Sequence, residues 1–347
     1  MSHWFESGTG GEPYTATVRL TGRRVGIRGM PGPGDTFAQQ ETIEDVIPGT
    51  GLVSITSWVY GLKPGEWTVR GDVDRPALRS EGSKRPERAP RRTSEPIAPA
   101  RWSWRQWSVS TAPTGPLKTR WARLAPLARM PAVLPGSWTA LGSLAVAVAL
   151  AMQAVILAHL RVPFGASLAV SLLALVAGLV GAKVWYAVLH PGPWPRALLG
   201  GWSVDGFFLV SPVVAIVASL AAGLPTGVFL DASAPGLFLG VAIGRLGCFF
   251  TGCCAGRLTS SRWGIWSSDQ RVGARRIPAQ LLESAAGFGI GLASALLILN
   301  DVPSVPGLVF VGACGIYILV RQFLLRLRAE RRTYSWRRSG LVAKQRS

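Results

Sequence analysis

Charged residues are scarce in this 347-residue chain, at 16% of the sequence, whereas hydrophobic residues make up 48%. That balance excludes an ordinary soluble domain, because a soluble surface carries more charge than this. The sequence has instead a series of long apolar runs, and a run of about 20 residues is enough to cross a bilayer as a helix. We therefore predict six membrane-spanning helices, with room for a seventh in a short or re-entrant segment, at residues 137–158, 166–190, 203–223, 228–251, 278–300 and 303–325.

Acidic residues are also few, with 18 Asp and Glu against 37 Lys and Arg. The excess of positive charge is concentrated in residues 79–129, with 12 basic residues and 3 acidic ones, and in residues 326–347, with 8 and 1. Basic segments next to spans are typical of contact with anionic lipid headgroups, which we favour over nucleic-acid binding. We expect a membrane-embedded protein without a nucleic-acid partner.

The chain has four cysteines, three histidines and no C-x-x-C motif. Three of the cysteines, Cys248, Cys253 and Cys254, follow the spacing C-x4-C-C, which is unusual for zinc or iron–sulfur sites, and no histidine is nearby. Buried thiols are our interpretation, with a metal site as the alternative, so no metal and no cofactor are expected. The first 20 residues lack an apolar core, which argues against a cleavable signal peptide.

The N-terminal part of the chain has the alternating pattern of β-strands rather than long apolar runs. YTATVRLT at 14–21 alternates apolar and polar residues, and the segments at 52–60 and 66–73 repeat the style. We predict a polytopic α-helical membrane protein with six to seven transmembrane helices and a small N-terminal all-β, sandwich-like domain.

This pattern divides the chain into four segments. Residues 1–75 form the β domain, and residues 76–135 form a basic linker rich in Pro, Arg and Trp. The linker is either a disordered tether whose tryptophans lie on the bilayer surface or a plain solvated connection. Residues 136–328 form the transmembrane domain, and residues 329–347 form a basic tail.

Ionisable residues inside spans are costly and so point to function. Arg245 and Arg321 are the most informative, because a guanidinium stays charged and binds phosphate through two parallel hydrogen bonds. Together they could hold a phospholipid headgroup. The alternative is that each pairs with a buried acid, for which Asp231 and Glu283 are available. The complete set in the spans is Lys183, Asp205, Asp231, Arg245, Glu283 and Arg321.

The segment GRLGCFFTGCCAGR, residues 244–257, resembles the signature of the prolipoprotein diacylglyceryl transferase family, G-R-[IL]-G-N-F-x-N-G-E-x-x-G-R. Cys248, Thr251 and Cys253 stand where that pattern has Asn, Asn and Glu, and this cysteine-bearing version resembles a divergent branch of the family. The matching positions are Arg245, Gly247, Phe249, Gly252, Gly256 and Arg257.

Three further blocks are similar to the family in the same order, and the resemblance covers residues 136–328. GGWSVDGFF at 200–208 has Asp205 in place of the family's histidine. GAKVWYAVL at 181–189 has Lys183 in place of an arginine. RRIPAQLLESAAG at 275–287 keeps Arg276, Pro278, Gln280 and Glu283. Gly307, Tyr317 and Arg321 have the family's spacing in the last span, and Asp231 matches an aspartate ahead of the signature.

The resemblance implies a multi-pass transferase of the bacterial cytoplasmic (inner) membrane. Such enzymes move the diacylglyceryl group of phosphatidylglycerol onto the thiol of a lipobox cysteine in the signal peptide of a lipoprotein precursor. It implies catalytic roles for Arg245, Arg321 and Asp205. The expected phospholipid-binding residues are Gly201, Ser203, Gly247, Cys248, Gly256, Arg257, Glu283, Tyr317 and Asp231.

Two alternatives and one conflict stay open. The replaced polar residues also fit a divergent paralogue that transfers lipid to another acceptor, or a non-catalytic phospholipid-binding scaffold. Basic segments at both ends of six spans favour cytoplasmic termini. The family resemblance instead implies seven spans, an external N-terminus and an external loop after the signature.

Overall fold

The structure is a computed structural model that describes residues 1–74, 95–97, 110–111, 117–121, 130–189, 201–302 and 304–329. The chain divides into two compact units. The first contains Met1–Gly136, Cys248–Gln280 and Leu325–Ser347, and the second contains Ser137–Gly247 and Leu281–Leu324.

Six helices are long and apolar enough to cross a membrane in the described part of the chain, which confirms the predicted multi-pass architecture. Each coincides with one of the apolar runs, because a lipid-exposed backbone must satisfy its hydrogen bonds within the helix. They are α1 (Ser137–His159), α2 (Phe164–Leu189), α3 (Val204–Ala221), α4 (Thr226–Thr251), α5 (Ala279–Leu299) and α6 (Leu308–Leu325).

In the second unit, α2 and α3 approach closely through glycines. A Cβ added at Gly206 would collide with the carbonyl oxygen of Gly181, and one at Gly178 would meet the Phe207 ring at 2.7 Å. Small residues at a crossing let two backbones approach, which is how helices associate where lipid gives no hydrophobic driving force. This contact fixes the start of α3, where Asp205 lies.

A hydrogen-bonded chain of polar side chains joins three of the helices. Gln153 of α1 donates to Ser233 Oγ of α4 at 2.6 Å and accepts from Ser171 Oγ of α2 at 2.7 Å. Each of these side chains therefore has a polar partner inside the bilayer, where an unsatisfied polar group is costly.

The first unit is built from two five-stranded sheets. Their orders are β7-β1-β4-β10-β9 and β3-β2-β5-β8-β6. The strands are β1 (Ser2–Glu6), β2 (Tyr14–Arg24), β3 (Thr36–Val46), β4 (Leu52–Thr56), β5 (Gly65–Asp74), β6 (Glu95–Ile97), β7 (Ser110–Thr111), β8 (Leu117–Trp121), β9 (Ile265–Ser268) and β10 (Val272–Arg276).

The two sheets pack face to face, which confirms the sandwich-like prediction. Alternating positions of β2, such as Val18 and Leu20, are completely buried, and so are Phe5 of β1 and Ile55 of β4. These side chains belong to one apolar cluster that draws on both sheets. The alternating apolar residues of the sequence pattern therefore form the inward face of a sandwich.

The sandwich extends beyond the predicted boundary at residue 75. The short strands β6, β7 and β8 lie inside the segment predicted to be a linker, and they join the two sheets. The remaining residues of 76–129, including the three tryptophans at 102, 104 and 107, and residues 330–347 of the basic tail lie outside the described residues.

The segment between α4 and α5 supplies the other added strands. Val272 of β10 pairs with Ile55 of β4, and both Val272 and Ala274 are buried in the sandwich core. Trp266 of β9 stacks on Trp4 with ring centroids 5.3 Å apart and donates its indole N–H to Leu52 O at 2.8 Å. Strands that share backbone hydrogen bonds lie on one side of a bilayer, so this segment and the N-terminal strands are on the same side.

Candidate functional site

A buried cluster of two arginines, a glutamate and a tyrosine lies in the second unit. The carboxylate oxygen Oε1 of Glu283 accepts hydrogen bonds from Arg321 Nη1 and the Tyr317 hydroxyl and forms an ion pair with Arg245 Nη2, each at 2.8 Å. Glu283 is 1% exposed and Arg245 is 4% exposed. Two cations from different helices therefore converge on a single oxygen atom, in a setting where charge–charge interactions are strong.

Asp205 is the fifth member of this cluster. Its Oδ1 accepts from Arg321 Nη2 at 3.1 Å, so Arg321 bridges Asp205 and Glu283 through its two terminal nitrogens. The Asp205 side chain is 35% exposed, against 1% for that of Glu283. With both acids ionised, the two positive and two negative charges cancel. Asp205 is the more exposed of the two acids, so its side chain can leave Arg321 more easily than Glu283 can.

Helix geometry and packing hold these side chains in place. Tyr317 and Arg321 are four residues apart on α6, so both lie on one face of that helix. The Tyr317 ring packs between Phe208 of α3 and Phe238 of α4, with centroid distances of 5.6 and 5.4 Å. Ser284, next to Glu283, donates to Ala242 O of α4 at 2.7 Å and fixes α5 against α4.

The arrangement combines the two interpretations made from the sequence. Each arginine pairs with a buried acid, as the alternative interpretation expected. Both pair with the same acid, Glu283, so the two guanidinium groups also lie side by side.

Asp231 is not part of this cluster. It accepts the backbone N–H groups of Gly307 at 2.6 Å and Phe310 at 2.9 Å, and so caps the N-terminus of α6. Asp231 precedes Arg245 by fourteen residues on α4, which is about 21 Å along a helix. Capping accounts for its burial, and its predicted role in phospholipid binding stays a prediction.

Comparison with known proteins gives this bundle a family. The model of the prolipoprotein diacylglyceryl transferase family matches residues 137–343, more than half of the chain. The chain belongs to this family. The match begins where α1 begins, so the N-terminal strands lie outside it.

Individual relatives match shorter stretches. A phosphatidylglycerol–prolipoprotein diacylglyceryl transferase of Chloroflexus aggregans is 32% identical over 101 residues, which are 27% of this chain and 33% of that protein. A relative of that name in Mycolicibacterium paratuberculosis is 29% identical over 134 residues, 35% of this chain and 30% of the relative. The chain thus spans about a third of the length of these relatives. No solved structure matches it.

Three other positions of the family pattern lie in the second unit. Gly247 faces α1, where a Cβ would meet Leu141 Cβ at 3.4 Å, an ordinary van der Waals contact. Gly201 packs under the Tyr186 ring, which a Cβ would meet at 2.8 Å. Ser203 precedes α3, and its backbone N–H donates to Ala182 O at 3.1 Å. Their predicted contacts with phospholipid stay predictions.

The remaining signature positions lie in the first unit. Arg257 donates from its backbone N–H to Leu327 O at 2.9 Å and from Nε to Arg328 O at 3.2 Å, which ties the signature to the segment after α6. Gly256 packs against Ile277 O without room for a side chain. Both positions therefore have a structural function in this fold, whatever they contribute to lipid binding.

The cysteines form a helix cap. Gly252 has a positive φ of 77°, and Cys253 N donates to Cys248 O at 3.1 Å, as in a Schellman motif at the end of α4. Hydrogen bonding with Cys248 and then Cys254 raises the pKa of the Cys253 thiol, which keeps it in the protonated form that binds metals poorly. Among the described residues, no group of three or more His, Cys, Asp or Glu side chains is placed to hold a metal ion.

The sequence reasoning missed the function of Arg276 in the fold. This guanidinium is 3% exposed and donates to Gly256 O at 3.0 Å and to Asp269 Oδ2 at 2.6 Å. It closes the loop between α4 and β10 on itself. One feature of the sequence pointed to Arg276: it is one of the residues that the block at 275–287 shares with the family, although it lies outside the spans.

Proposed function

We propose that this protein is a phosphatidylglycerol–prolipoprotein diacylglyceryl transferase of the bacterial cytoplasmic membrane. The observation that carries the proposal is the convergence of Arg245 and Arg321 on Glu283 Oε1. Fixed guanidinium groups in a low-dielectric site stabilise negative charge that develops on a phosphate. The acceptor is the lipobox cysteine thiol of a lipoprotein precursor, which the family membership supports.

Charge balance indicates how the lipid enters. The cluster is neutral while Asp205 contacts Arg321, so a phosphodiester with one negative charge has to compete with that carboxylate. When the half-buried Asp205 turns away, Arg245, Arg321 and Glu283 retain one net positive charge. That charge matches the single negative charge of the headgroup, and the freed Arg321 Nη2 donates to a phosphate oxygen.

The proposed reaction is a displacement of glycerol phosphate by the acceptor thiol. The acceptor sulfur attacks the diacylglyceryl carbon that is bonded to the phosphate ester oxygen, and a carbon–sulfur bond forms as the carbon–oxygen bond breaks. The electron pair of the broken bond stays on the departing glycerol phosphate, whose charge rises and is stabilised by the arginines. The thiol proton goes to the Asp205 carboxylate, which has been displaced from Arg321 and lies beside the site.

A transfer assay tests the proposal. The full-length protein in phosphatidylglycerol-containing membranes is incubated with a lipobox peptide, with radiolabel in the diacylglyceryl group, and we expect label on the cysteine of the peptide. The Arg245→Ala variant is run beside it and is expected to give none. Lipid binding without transfer to any thiol would overturn the proposal in favour of a scaffold, and transfer to a different acceptor would identify a divergent paralogue.

The Asp205→Asn variant separates binding from chemistry. An amide no longer holds Arg321 as an anion and no longer takes a proton, so we expect the KM for phosphatidylglycerol to fall and kcat to fall by about 100-fold. Asp301→Asn, an exposed change between α5 and α6, is the matched control and leaves both parameters at their original values. If Asp205→Asn changed neither parameter, Asp205 would be neither the competitor nor the proton acceptor.

A further inference from the structure

Two loops of the sandwich lie side by side at one end of the strands. Residues 25–35 join β2 to β3, and residues 57–64 join β4 to β5; we call them the paired loops. Lys63 N of the second loop donates to Gly34 O of the first at 3.0 Å, and Val25 N of the first loop donates to Glu66 O, at the start of β5, at 2.7 Å. The backbones of the two loops are therefore joined directly.

A buried aspartate strengthens this junction. Asp35 is 5% exposed and accepts from Arg24 at 3.1 Å, from Lys63 at 3.2 Å and from Gly32 N at 3.1 Å. The side-chain hydrogen bond from Arg24 lowers the pKa of Asp35, with Lys63 and Gly32 acting in the same direction. The carboxylate is thus ionised at neutral pH. Its hydrogen bonds to Gly32 and Lys63 hold the paired loops together.

Large apolar side chains protrude from the paired loops. Met30 is 95% exposed and Tyr60 is 82% exposed, far beyond what packing requires. Single exposed apolar residues are normal on a protein surface, but a group of them on adjoining loops marks an interaction site. The group consists of Val25, Met30, Trp58 and Tyr60.

The charge around these apolar tips is positive. The segments 23–35 and 57–65 contain four basic residues and one acid, which is the buried Asp35. Arg23 and Arg28 are both exposed, and so is Glu66, which directly follows the second segment; with Glu66 counted, the four basic residues still outnumber the two acids. An aromatic and apolar tip surrounded by cations is typical of elements that lie in the membrane interface.

We propose that the paired loops dock onto an anionic lipid bilayer. Met30 and Tyr60 enter the boundary between headgroups and acyl chains, while Arg23 and Arg28 contact lipid phosphates. A bilayer is near the sandwich along the chain, because β9 and β10 lie in the segment that joins the membrane-spanning helices α4 and α5. A basic precursor segment would be repelled by this surface. The proposal is independent of the transferase activity.

Photo-crosslinking on the full-length protein tests this. A photoreactive residue, Met30→p-benzoylphenylalanine, is introduced, the protein is placed in nanodiscs, and the adducts are weighed by mass spectrometry. We expect lipid adducts, more of them in phosphatidylglycerol mixtures than in phosphatidylcholine alone. The same residue at exposed Gln40 of β3 is the control and should give few.

Charge-removing variants check the electrostatic part. Arg28→Gln should reduce the lipid adduct at position 30 in anionic nanodiscs by about fivefold, as about 1 kcal/mol per basic residue predicts. Arg19→Gln, an equal change on the exposed side of β2, should leave it unchanged. Absence of lipid adducts at position 30 would overturn the proposal. Adducts to a protein or nucleic acid in native membranes would also overturn it. Equal effects of Arg28→Gln and Arg19→Gln would do the same.

Discussion

Replacing Arg321 with alanine should reduce diacylglyceryl transfer by at least about 1,000-fold, because loss of one donor to a developing anion alone costs 100- to 1,000-fold. Arg321 is the residue that joins Glu283 to Asp205. Without it, two carboxylates face the single cation Arg245, so the site repels the phosphate that it has to bind. The measurement is the initial rate of label transfer at saturating phosphatidylglycerol.

The controls for this prediction separate charge from geometry. Arg321→Lys keeps one positive charge but loses the second guanidinium nitrogen, so we expect an intermediate rate. Arg326→Ala removes an exposed arginine five residues further along the chain and should transfer at the original rate. A full transfer rate in Arg321→Ala, with only a lower melting temperature, would show that this arginine stabilises the bundle and does not bind the reacting lipid.

Much of the helical architecture could be predicted because charge-free runs of this length have few other stable arrangements. The strands β2 and β5 were also predictable, since their inward positions alternate regularly. The strand β10 was not, because VGARR is short and contains two arginines. Its partner β4 is more than 200 residues away in the sequence, and local pattern contains no information about such pairing.

The candidate site was predictable in its members but not in its centre. Arg245, Glu283, Tyr317 and Arg321 are all recognisable as unusual residues in apolar helices. That one oxygen of Glu283 joins the other three depends on how α4, α5 and α6 are rotated about their axes. That Asp231 lies apart from the Glu283 cluster could have been predicted, since its distance from Arg245 along α4 follows from helix geometry alone.

Replacing Glu283 with alanine should strongly destabilise the bundle. The change leaves two buried guanidinium groups and the Tyr317 hydroxyl without their common acceptor. Removing one partner of a buried ion pair costs about 3–5 kcal/mol, because the remaining charge is left uncompensated. The measurement is the free energy of unfolding from detergent-denaturant titration of the purified protein.

The matched comparison is with Asp231→Ala, which removes another buried carboxylate that accepts two hydrogen bonds. Asp231 binds only backbone N–H groups, so its loss should cost about 0.5–2 kcal/mol, as for other helix caps. The double variant Glu283→Ala with Arg245→Ala should recover part of the stability, because one of the two orphaned cations is then gone. Equal losses for Glu283→Ala and Asp231→Ala, or no recovery in the double variant, would mean that Glu283 is not the acceptor on which both arginines depend, and the shared phosphate site would lose its basis.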